Sequence, residues 1–72
     1  MAEPFKIWKN PGGYDDAPVY MGEFYPPANQ ISFFWTDLRD LGFSPGHYTV
    51  RLPDSIRQRY GLRKWQAVQV PA

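Results

Sequence analysis

Few side chains of this sequence stand at spacings that suit covalent chemistry. Ser44 lies three residues before His47. Pro45-Gly46 between them marks a turn, not a dyad in which a base activates a hydroxyl. His47 is the only histidine and cysteine is absent, which removes disulfides, thiolate nucleophiles and the usual zinc ligand sets. Asp15-Asp16 has the groups for a metal or an acid/base pair, but adjacent carboxylates beside glycines read as a solvated turn. Asp37 and Asp40 are three apart on one helical face, and a helix cap and Arg39 account for them. Pro11-Gly12-Gly13 lacks the Lys-Ser/Thr of a phosphate-binding loop. The chain therefore reads as a non-enzymatic protein. No catalytic residue, metal, cofactor or small-molecule substrate is expected.

Two other sets of residues suit recognition. The first is aromatic. Phe, Tyr and Trp make up 18% of the chain, and such rings are enriched at protein interfaces. Phe33-Phe34-Trp35 puts three rings in a row, so at least one is poorly hidden in a monomer. Trp8 falls opposite Phe5 and Ile7 on an alternating strand. Trp8, Phe33, Phe34, Trp35 and Trp65 are the candidate protein-interface residues. The second set is basic. Arg51, Arg57, Arg59, Arg63 and Lys64 fall within fourteen residues and could neutralise nucleic-acid phosphates. Trp65, next to Lys64, could stack on a base or pack under a helix.

Seventy-two residues form a single small domain with a marginal core. Domains of this size usually need a staple, and without cysteine or a metal site there remain aromatic packing and association. No apolar run approaches the ~20 residues of a membrane span, and residues 1–6 carry no signal-peptide core. An intracellular or virion setting is expected, with no membrane partner. The net charge of +1 divides unevenly: residues 1–40 carry six acids and three bases, residues 41–72 one acid and five bases. The second half thus presents a positive field, which suits an anionic partner or head-to-tail self-association.

Eight prolines and six glycines cut the chain into short elements. Residues 5–9 predict a strand, residues 10–13 a turn and residues 14–18 an exposed loop. Residues 19–25 predict a second strand, with Gly22 as a bulge. Residues 26–29 break the chain. Residues 31–35 are either a buried strand or the approach to a helix. Thr36 predicts an N-cap for a one-turn helix over 37–41, stopped by Gly42. Ser44-Pro45-Gly46 predicts a type II turn. In residues 47–52, Tyr48, Val50 and Leu52 face one way and His47, Thr49 and Arg51 the other. Pro53 ends that strand. A short helix follows, capped by Asp54 or Ser55 through a Ser55-x-x-Gln58 box, with Ile56 and Tyr60 inward and Gly61 as its stop. Residues 65–70 form the last strand, with Val68 and Val70 inward. The class is α+β: a small antiparallel sheet with one or two short helices.

The run Val50-Arg51-Leu52-Pro53-Asp54-Ser55-Ile56-Arg57-Gln58-Arg59-Tyr60-Gly61-Leu62, followed by Val68-Gln69-Val70, resembles the AbrB/MazE-type swapped-hairpin DNA-binding family. Pro53, Ile56, Arg57, Gly61, Leu62 and Val68 fall in the family's order. The resemblance covers about a third of the chain. Lys64-Trp65-Gln66 stands where the family carries Pro-Gly-Asp, and residues 1–40 have no counterpart. It implies a hairpin-exchanged dimer that meets DNA phosphates with its basic residues. Two expectations result. The first is a macromolecular binding or assembly protein with a protein partner or a second copy, such as a minor virion subunit or an inhibitor. The alternative is a DNA-binding regulator or antitoxin.

Overall fold

The computed structural model describes residues 3–12, 17–26 and 30–72. In chain order the elements are β1 (Phe5–Asn10), β2 (Val19–Phe24), α1 (Trp35–Asp40), β3 (Gly46–Arg51), α2 (Asp54–Tyr60) and β4 (Trp65–Val70). The four strands make one antiparallel sheet in the order β2-β1-β3-β4. The small α+β class holds, with two short helices. The expected turn at Gly13, the loop with Asp15-Asp16 and the break at residues 27–29 lie outside the described residues.

Alternation sorts the strands into two faces. Phe5 and Ile7 of β1, Tyr48 and Val50 of β3, and Val68 and Val70 of β4 point inward and are buried. α1 lies against β4 and adds Leu38, while Phe33 just before it meets the Phe5 ring edge-to-face at 5.1 Å. Phe24, Phe43, Ile56 and Leu62 close the margin of this core. Tyr48 spans it: its ring packs on Phe43, and its hydroxyl donates to the Ser44 carbonyl at 2.6 Å.

Local chemistry explains the ends of the elements, with several departures from expectation. Residues 31–34 lead into α1 and form no strand. α1 starts earlier than residue 37 because Phe34, not Thr36, is its N-cap: the Phe34 N–H donates to Asp37 Oδ2 at 2.9 Å. The helix ends in a Schellman arrangement. Gly42, at φ 94°, donates to the Arg39 carbonyl, and the Phe43 N–H donates to that of Leu38. That second bond swings Phe43 back onto the core.

The type II turn at Ser44-Pro45-Gly46 is replaced by an earlier start of β3. Gly46 has φ 153°, far from the ~80° such a turn needs, and pairs with Val70. α2 begins from extended Pro53 without a side-chain cap, so the Ser55–Gln58 box does not form. Asp54 instead serves as the first-turn acid and pairs with Arg57 at 3.5 Å. Ile56 is half-buried, but Tyr60 is exposed rather than inward. Gly61 closes α2 in the left-handed region, φ 67°, and the Leu62 N–H donates to the Arg57 carbonyl at 3.0 Å. Gly22, at φ 122°, lies where the β1–β2 register shifts between Ile7 and Trp8, the bulge its position suggests.

Candidate functional site

The second face of the sheet carries a different chemistry, and the strand register lays it out as a grid. Lys6, Arg51 and Trp65 stand side by side across β1, β3 and β4. Trp8, Thr49 and Ala67 form the next row, then Asn10, His47 and Gln69. On the far side β2 places Glu23 beside Lys6 and Tyr20 beside Trp8. No described helix packs against this face: α1 lies on β4 from the core side, through Leu38.

A short side chain in the middle row shapes the face: Thr49 leaves low ground between Trp8 and Trp65, whose indoles come together across β3. The two rings meet edge-to-face at 5.4 Å, and Tyr20 tilts onto Trp8 from the other side at 5.1 Å. Trp8, Thr49, Trp65 and Pro18 line an open cleft of about 370 Å³. Tyr20 and Trp65 remain about half exposed, at 49% and 47%. Asn10 Nδ2 donates to Thr49 Oγ1 at 2.8 Å, which fixes the floor.

Charge follows the rings. The Arg51 guanidinium lies 5.9 Å from the Trp65 ring centroid and the Lys64 ammonium 5.8 Å from it. Strands β1, β3 and β4 contain no acidic residue. Among the described residues, no carboxylate is in ion-pair contact with Lys6, Arg51 or Lys64. Among the described residues, acids gather at the first row and its end: Glu23 pairs across the strands with Lys6, and Glu3, Glu23 and Asp54 share a hollow with Lys6 and Arg51.

The expected interface set therefore divides. Trp8 and Trp65 meet on the outer face. Phe33 is wholly buried, so it is a core residue of this chain and drops out of the exposed set. Phe34, the N-cap, is still extended and the chain turns helical at Trp35; Phe33 points inward, while Phe34 and Trp35 stay exposed at the start of α1, with Arg39 over the Trp35 ring at 5.1 Å. The basic set divides as well. Arg51 and Lys64 reach Trp65. Arg63 borders a groove with Trp65 and Leu62. Arg57 and Arg59 ride on α2, where Arg57 is tied to Asp54 and Arg59 lies over Tyr60 at 5.6 Å.

Sequence reasoning missed Tyr20 and Lys6. Lys6 is two residues from Trp8, so the strand period itself would have placed it on the same face. Tyr20 was hidden by the bulge, which changes the phase of β2 around Gly22. Comparison with family models, with curated proteins and with solved structures finds no match for this chain. No helix is long and apolar enough to cross a membrane.

Proposed function

We propose that this chain is a non-enzymatic macromolecule-binding protein whose working surface is the outer face of the sheet. The observation that carries the reading is the Trp8–Tyr20–Trp65 cluster. These rings sit on the side of the sheet away from a core that is already closed by Phe5, Phe33, Leu38 and Tyr48. Half-exposed rings such as Tyr20 and Trp65 add little to folding and much to binding, because they bring large area at low entropic cost. Assembly with a protein or with a second copy of the chain falls within this reading. The alternative, a DNA-binding regulator of the swapped-hairpin kind, draws support from Arg51 and Lys64 beside Trp65. It draws less from Arg57, whose charge is engaged by Asp54.

Photo-crosslinking in the cells that make the protein tests the surface without presuming the partner. A benzophenone side chain replacing Tyr20 or Trp65 is expected to give macromolecular adducts, and the same group replacing Asp40 on α1 none. Equal yields from all three positions, or adducts from Asp40 alone, would put the working surface elsewhere.

A further inference from the structure

We infer that the occupant of the outer face is single-stranded nucleic acid, its bases laid on Trp8, Tyr20 and Trp65 and its phosphates drawn by Lys6, Arg51 and Lys64. The inference rests on the outer face being the working surface and names what it holds.

Three features of the face converge on this ligand. The first is the arrangement of rings. Trp8 and Trp65 touch edge-to-face, so nothing flat slips between them; Trp65 and Tyr20 are about half exposed toward solvent, and Trp8 between them is partly exposed. Among nucleic acids, an unpaired strand offers base faces to lay there; in a duplex those faces are stacked on each other. The four strands span about 14 Å at ~4.8 Å per strand, room for two or three bases in a row.

The second is charge. The nine outward positions of β1, β3 and β4 contain two cations, two indoles and no acid, and Lys64 adds a third cation at the lip. The cations are not consumed by neighbouring carboxylates. A cationic ligand is thereby disfavoured, because Arg51 and Lys64 already hold positive charge over Trp65. Glu3, Glu23 and Asp54 line a hollow with Lys6 and Arg51 at one end of the site, so the path left for a polyanion runs from Lys64 and the outer side of Arg51 across Trp65 toward Trp8.

The third is hydrogen bonding. Asn10, His47, Thr49 and Gln69 line the remainder of the grid with hydrogen-bonding side chains, which suit base edges and sugar oxygens. A protein partner would exploit the rings but has no general need for the two cations set against Trp65.

Tryptophan emission of the intact chain, titrated with an oligothymidylate about twelve nucleotides long, tests this. Quenching should saturate, and a duplex of equal length should bind more weakly. Between about 50 and 200 mM salt, log affinity should fall with log salt at a slope near −2, about −0.7 for each of three phosphates. Trp8→Thr and Trp65→Thr should each weaken binding on the order of tenfold, and Trp65→Phe should restore most of it. Arg51→Gln with Lys64→Gln should flatten the salt slope, whereas Arg57→Gln with Arg59→Gln should leave it unchanged. Urea midpoints of every variant show that the fold persists.

Three results would overturn the inference. If the oligonucleotide does not quench but Tyr20 crosslinks to protein in cells, the face is a working surface with a protein occupant. If neither occurs, the function proposed for the face fails with it. If the duplex binds better and only the α2 pair matters, the nucleic-acid surface is the helix.

Discussion

Tyr48 does two things at one position. Its ring fills the centre of the core and its hydroxyl reaches through to satisfy the Ser44 carbonyl at 2.6 Å. The second role is separable from the first. Tyr48→Phe keeps the ring and leaves that carbonyl to solvent, and should cost about 1 kcal/mol in urea unfolding. A loss near 4 kcal/mol would mean that the hydroxyl holds more than this one bond. Gly61 is the other single residue on which geometry depends. At φ 67° a β-branched side chain is strained, even though no atom lies within 4 Å of where its Cβ would sit. Gly61→Val should therefore destabilise by about 1 kcal/mol or more through backbone strain alone; equal urea midpoints would show that α2 can close another way.

At the scale of elements, the strands were the most legible. The alternation in residues 47–52 and 65–70 placed Tyr48, Val50, Val68 and Val70 inward, because a half-buried strand has only one phase that hides its apolar set. Helix starts were the least legible. Thr36 and Ser55 are good caps in isolation, but the Asp37 carboxylate takes the Phe34 N–H and Pro53 launches α2 without a side chain. Helix ends were easier, since Gly42 and Gly61 have few other uses. The candidate site was half visible: Trp8 and Trp65 stood out singly. That they meet depends on β1 and β4 flanking β3, a pairing over distances local patterns do not encode. The Asp37 interpretation is checked by Asp37→Ala, which should lower stability by about 1 kcal/mol. An unchanged urea midpoint would mean that packing of Leu38 alone sets where α1 begins.

Among the described residues the molecule is a single-sided sandwich: one face of the sheet is closed by α1, Phe43 and the margin of α2, and no described helix covers the other. This predicts an asymmetry between neighbours. Leu38→Ala removes a fully buried side chain and should cost about 2–5 kcal/mol, while Phe34→Ala, at a half-exposed ring, should cost under about 1 kcal/mol. Comparable losses from the two, by urea melts, would show that the exposed rings are half of a second core. The strand order carries a last consequence, for how the chain acquires its shape. β1 has β3 on one side, and the Asn10–Thr49 bond joins residues 39 apart. The first strand made pairs with β2 on one edge but must wait for a distant strand on the other. Loop closure on that scale is costly before any contact rewards it, so refolding should be slow for so short a chain, in milliseconds rather than microseconds, with one edge of β1 unpaired until β3 arrives.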